Sequence, residues 1–190
     1  VDGESYEVCL TQPLQPGPLA RPLDTYRPLR RANPAPFGAF LDLAGVRVLS
    51  CSPERFLAVD RQGTVTARPI KGTTRRDADP ARDAALAREL AASEKDRAEN
   101  LMIVDLLRHD IGRVAAPGTV DVPSLMAIER FATVHHLVST ITGRLPPARD
   151  AVDAVRAAFP PGSMTGAPKE RTVEILERLE AAPRGIYSGA

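Results

Sequence analysis

The sequence predicts an α+β fold, and three observations carry that expectation. Short apolar–polar alternations come in pairs joined by turn residues. Helical periods stand between the pairs rather than regularly after each strand. No internal repeat and no dividing linker interrupts the 190 residues, a length that suffices for one good-sized domain or for part of a larger one.

The elements follow in order. Residues 6–11 (YEVCLT) alternate and read as a strand. Residues 13–36 are proline-rich and mostly loop, with Asp24 placed to cap a short helix through Arg30 and Arg31. Residues 37–43 and 46–50 form a hairpin around Ala44-Gly45. A second pair, 55–59 and 64–68, turns over 60–63. Asp79-Pro80 opens a helix to about Ala92, proline being tolerated in a first turn. Residues 93–113 give the strongest helical period, through Leu101, Val104, Leu106, Leu107 and Ile111. Gly112 ends it and Pro117-Gly118 turns the chain. Residues 123–130 read as a short irregular or helical piece, and 131–144, rich in Val, Thr and Ile, as a strand. Asp150 caps a helix through Phe159, Pro160-Pro161-Gly162 breaks it, and a last helix spans 169–179.

Composition excludes several functions. Net charge is +1, so nothing pulls the chain as a whole toward nucleic acid. Aromatics are 4% with no Trp, which argues against a base-stacking platform, so no nucleic-acid partner is expected. No apolar run reaches membrane-spanning length and no signal pattern stands at the start, so no membrane partner and a cytoplasmic location are expected. Cys9 and Cys51 sit in strand-like surroundings, with no disulfide framework or zinc spacing. The chain begins with Val and stops at RGIYSGA, which reads as a piece of a longer folded unit.

The basic residues are unusual. Of 25 Lys and Arg only Lys71, Lys95 and Lys169 are Lys. A lysine ammonium can shed its proton and become a nucleophile, which arginine cannot do. RPIKGT sets Lys71 at a strand end between Pro69 and Gly72, where its amine either enters a cleft or lies in a surface turn. Glu54, in SPERF, is a carboxylate in a tight turn, suited to general-acid work or to turn chemistry alone. Asp96 and Glu99 are three apart on the long helix and share a face, a pattern that suits Mg²⁺ or a solvated face paired with Lys95 and Arg97. On an alternating strand His135 and His136 point to opposite sides, so their environments differ. PPGSMTGAPK precedes a helix and offers backbone N–H groups to an anion, though its Gly and Lys order is not that of a Walker A loop.

Taken together and in this order, GESYEVCLTQ, SPERF, RPIKGT, EKDRAENLMIVDLLRHDIGRV, ATVHHLVSTITG, AAFPPGSMTGAPKERTVEILERLE and RGIYSGA resemble the chorismate-utilising enzymes. Within that family they are similar to the branch that makes 4-amino-4-deoxychorismate for para-aminobenzoate, in forms fused to a glutamine amidotransferase. The resemblance covers nearly the whole chain. It implies the family's two-sheet α+β sandwich, with residues 1–190 an incomplete chorismate-binding catalytic domain.

It also implies roles. Glu99 matches a Mg²⁺ ligand and Asp96 stands beside it, where relatives often have an acidic residue. Glu54 matches the acid that assists departure of the C4 hydroxyl, and His136, not His135, the active-site His. Thr73 follows Lys71 in RPIKGT, and it joins Ser163, Thr165 and Gly166 of the substrate loop, with Tyr187 near the ring carboxylate, as substrate-binding residues. Lys71 stands where anthranilate synthases usually carry Ala, and Glu7 where isochorismate and salicylate synthases carry a water-activating Lys. Together they imply ammonia, supplied by a glutamine amidotransferase domain or subunit, entering chorismate at C4. His109 departs from the Asn that relatives commonly have. The alternatives are an anthranilate synthase component I, or an inactive piece acting only as an interaction module.

Overall fold

A computed structural model describes residues 3–14, 17–180 and 182–187. Its chain falls into two units: Val1–Gln12 with Phe56–Ala190, and Pro13–Arg55 between them. In chain order the smaller unit is an insertion within the larger one.

The smaller unit holds helix α1 (Pro22–Ala32) and the hairpin β2 (Phe37–Leu43) and β3 (Val46–Ser52). Pro22 starts the helix after Arg21, so Asp24 is not its cap; it sits in the first turn and pairs with Arg21 and Arg27 instead. The hairpin turns at Ala44 and Gly45, both at positive φ, as a tight two-residue turn requires. Tyr26 is buried, and its ring lies 5.8 Å from that of Phe40.

The larger unit is built on a five-stranded sheet. β4 (Arg55–Val59), β5 (Thr64–Arg68), β6 (Ile70–Arg75), β7 (Asp121–Arg130) and β8 (Val134–Arg144) compose it, with β8 at its centre. β5 and β6 pair with successive lengths of β8, and β7 pairs with β8 as well. The β4–β5 turn is held by Asp60 Oδ1, which accepts from the N–H groups of Gln62 and Thr64 at 2.9 and 2.8 Å. The stretch expected to be irregular or helical, 123–130, is strand β7. Pro123 and a positive φ at Met126 misled the pattern; both fall where the β7–β8 register shifts, and a bulge needs no regular ladder there. The strand expected over 6–11 shrinks to β1 (Glu7–Val8), because only its middle finds a partner, β9 (Gly166–Ala167).

Helices α2 (Pro80–Ala92), α3 (Glu94–Gly112), α4 (Ala151–Ala158), α5 (Gly162–Thr165) and α6 (Lys169–Leu179) complete the unit. Asp79 caps α2, Ser93 caps α3, and Asp150 with Asp153 forms a capping box on α4. The core lies where α3 meets the sheet: Ile103, Val104, Leu107 and Ile111 pack with Val65, Ala67 and Ile141. Gly143 permits this closeness, since a Cβ there would fall 2.5 Å from Ile111 Cγ2.

Candidate active site

Lys71 lies inside β6 rather than at a strand end. The β6–β8 register shifts between Ile70 and Thr73, so Lys71 and Gly72 form a bulge that re-aims the lysine. Gly72 has φ 86°, and a Cβ on it would meet Asp96 Cβ at 2.8 Å and Leu90 Cδ1 at 3.0 Å. The bulge therefore rests on the start of α3, next to Asp96.

Lys71 Nζ donates to Glu7 Oε1 on β1, and each side chain is only 17% exposed. Glu7 Oε2 is buried, and among the described residues no hydrogen-bond donor reaches it. The backbone of Glu7 is fixed by its pairing with Ala167 and by Gly166, whose missing Cβ leaves room for Glu7 O. Gly166 thus belongs to the packing that seats β1, at φ 136° where a side chain would be strained.

His135 and His136 face opposite sides of β8, as strand alternation requires. His136 shares a hydrogen bond with Thr73 Oγ1 through Nδ1 at 2.8 Å, across the register pair Thr73–His136. The Phe131 ring meets its imidazole edge-on, with centroids 5.0 Å apart. Burial pushes the His136 pKa down, and the Glu129 charge opposes that shift. Glu129 is in turn paired with Arg68.

The start of α3 is held under these strands by a polar contact that sequence reasoning missed. Buried Asn100 donates to Leu137 O at 3.2 Å and accepts from Ser139 Oγ at 2.5 Å; Ser139 Oγ accepts in turn from Met126 N at 2.9 Å. An Asn within the apolar period of 93–113 was the available signal, since a buried amide must find partners. Asp96 and Glu99 both sit half-buried on this helix. Lys95 approaches Glu99 at 3.8 Å, so the surface-pair reading has a contact of its own. Among the described residues, no three His, Cys, Asp or Glu side chains gather as a metal cluster.

The PPGSMTGAPK segment folds as α5, then β9, then α6. Thr165 is buried and its hydroxyl donates to Pro161 O at 3.0 Å; Ser163 is half-buried. Arg184 ties this loop down: it donates to Met164 O, to Cys9 O at 2.8 Å and to Glu180, while Glu180 accepts from Thr11 N at 2.9 Å. Tyr187 is 55% exposed, and its N–H donates to Arg184 O at 3.3 Å. Glu54 belongs to the Pro13–Arg55 unit, where its N–H donates to Ser52 Oγ at 3.4 Å.

The structure thus pairs Lys71 with Glu7, which the sequence marked only as a position without Lys, pairs Thr73 with His136, and sets Asp96 against the bulge at Gly72. These contacts set an amine beside a carboxylate and an imidazole beside a hydroxyl, groups that can hold and move protons.

The chain is similar to known proteins along its whole length. The chorismate binding enzyme family matches residues 1–190. A relative from Streptomyces griseus named aminodeoxychorismate synthase is 59% identical over 99% of this chain and 26% of its own length. One from Klebsiella aerogenes named aminodeoxychorismate synthase component 1 is 54% identical, over 99% and 42%. One from Streptomyces coelicolor named anthranilate synthase component 1 is 51% identical, over 99% and 37%. The crystal structure of anthranilate synthase component I from Streptococcus pneumoniae superposes with a TM-score of 0.80 at 39% identity, over 91% of this chain and 38% of that one. The chain therefore spans well under half the length of the curated relatives it matches. It belongs to the family of chorismate binding enzymes.

Proposed function

We propose that the protein carrying this chain converts chorismate and glutamine-derived ammonia to 4-amino-4-deoxychorismate. The observation that supports this reading is Lys71, bulged out of β6 against α3 and held by Glu7. A nucleophilic amine must shed a proton, and Glu7 Oε1 is in place to take one. The Lys71 nitrogen then bonds to C2, the ring π-electrons shift, and the C4–O bond breaks. Glu54, assigned from the SPERF stretch alone, gives the departing hydroxyl a proton so that it leaves as water. Ammonia bonds to C4 while the C2–N bond breaks, and Lys71 returns as an amine. With Nδ1 engaged by Thr73, His136 has Nε2 left to face the substrate. Thr73, Ser163, Thr165, Gly166 and Tyr187 are the proposed substrate contacts.

Glu99 and Asp96 fit a hard cation, which binds through one or two carboxylates and keeps its waters. Mg²⁺ held there supplies positive charge for the ring carboxylate of chorismate. The ammonia comes from an amidotransferase domain or subunit. Anthranilate formation is the second reading, favoured by the 51% identical relative of that name.

The test is made on the complete protein. Lys71→Ala should remove any enzyme–chorismate adduct seen by mass spectrometry and slow C4 amination about a hundredfold or more. Lys71→Arg keeps the charge but not the nucleophile, and should be as slow. Near-normal C4 amination in either variant would reduce Lys71 to a positioning charge. Amination at C2 by the unaltered protein would select the anthranilate reading.

A further inference from the structure

Behind His136, on the opposite face of β8, one carboxylate oxygen gathers three donors. Asp83 Oδ1 accepts from His135 Nε2 at 2.8 Å, from Arg76 Nε at 2.8 Å and from Asp77 N at 3.0 Å. Asp83 is buried at the start of α2, and His135 is fully buried. The other arm of Arg76 reaches toward the site: its NH1 donates to Phe131 O at 2.9 Å, and its backbone N–H to Thr133 O at 3.0 Å. Phe131 is the residue whose ring meets the His136 imidazole.

We propose that Asp83 is a positioning residue for His136, acting through His135 on one side and through Arg76 and Phe131 on the other. Side chains alternate along a strand, so fixing His135 sets the rotation of β8 and with it the direction of His136. Fixing the Phe131 carbonyl sets the β7–β8 connection and the ring that bounds the imidazole. Thr73 takes Nδ1 from the third side. An imidazole held on three sides keeps one nitrogen aimed, and aim is what a reacting group needs. Stability alone does not require charges here, since well-packed apolar residues join a helix to a sheet at lower desolvation cost. The Asp83 carboxyl is held well below the usual carboxylate range, chiefly by Arg76, so the anchor stays anionic at any working pH.

The proposal rests on His136 as a site residue, and the experiment separates the two. In the complete protein, Asp83→Asn should lower kcat about tenfold while the KM for chorismate moves less than about twofold. It should also move the ¹⁵N and ¹H imidazole resonances of His136. Arg76→Lys keeps a cation at Asp83 but loses the fork to Phe131, and should lower kcat about threefold with the same resonances moved. A folded Asp83→Asn protein with unchanged kcat and unmoved resonances would overturn the proposal. Should that variant not fold, Arg76→Lys decides by the same two readings. His136→Ala with full activity would sink the site reading alone, while the resonances would still decide whether Asp83 positions the ring.

Discussion

Two lysine–carboxylate pairs in the larger unit look alike and are placed differently. Lys169 donates to Asp110 Oδ2 and also to Ala158 O at 2.7 Å, joining α6, α3 and α4 in one contact. Asp110 is 4% exposed; burial pushes its pKa up and Lys169 pulls it back. Lys71 donates to Glu7 Oε1, joining β6 to β1, and both side chains are 17% exposed. The first pair sits among three helices and is the more deeply buried, whereas the second joins β1 to the β6 bulge and is the more exposed. The difference separates a lysine that ties three helices together from one that ties a short strand to a bulge.

The most direct way to break that contrast is to remove each amine. Lys169→Met leaves the Asp110 charge buried alone, and should cost about 3–5 kcal/mol in chemical denaturation. Lys71→Met leaves Glu7, which is 17% exposed against 4% for Asp110, and should cost only about 1–2 kcal/mol while abolishing turnover. Equal losses of stability from the two variants would show that Lys71 is as structural as Lys169.

Glu99→Gln comes next and tests the carboxylate one turn along α3 from Lys95. A hard cation that loses one anionic oxygen binds more weakly, so the Mg²⁺ needed for half-maximal activity should rise about tenfold or more. An unchanged Mg²⁺ titration takes Glu99 out of the site. The pH dependence of stability separates Asp83 from Asp110. The folded-state pKa of Asp83 lies below its unfolded value, so its stabilisation is full above about pH 4. It is lost as pH falls through that depressed value. Asp110, raised by burial, works the other way, and its cost is relieved on acidification. The stability gap between the unaltered protein and Asp83→Asn should therefore shrink from pH 6 to pH 3 in urea melts, and a constant gap would remove Asp83 from the linkage.

Local chemistry made the helices readable. Asp79-Pro80, Ser93 and Asp150 announced α2, α3 and α4 because an N-cap needs only its own next two or three residues. β7 was not readable, since a strand broken by bulges at Pro123 and Met126 loses its period and is held by β8 instead. At the site, alternation alone set His135 and His136 apart. The partners of both depended on pairings sixty and fifty residues away, Thr73 for one and Asp83 for the other. Lys71 stood out by rarity, but its bulge and its partner Glu7 come from β8 and from β9, which no local pattern reports. The Asp83–Arg76–Phe131 contact left no trace in spacing, because it joins a loop, a helix start and a strand connection.

The third lysine gives the smallest effect and the sharpest control. Lys95 is 81% exposed and stands 3.8 Å from Glu99, one turn along α3. Water screens such a pair and two long side chains must be ordered to make it, so Lys95→Ala should change stability by no more than about 0.5 kcal/mol. Its neighbour makes it informative. If Glu99 serves a cation, Lys95 competes for the same carboxylate, and removing it should leave the Mg²⁺ requirement level or lower it by up to about twofold. Should Glu99 be only the partner of a surface lysine, Lys95→Ala and Glu99→Gln would be equally silent in a Mg²⁺ titration. A marked rise in the Mg²⁺ requirement on losing Lys95 would contradict both, since an exposed cation would then be helping to hold another. The three lysines therefore form a series of rising exposure, 14% for Lys169, 17% for Lys71 and 81% for Lys95, with partners 4%, 17% and 33% exposed, and the measured order of their effects tests whether burial assigns their roles.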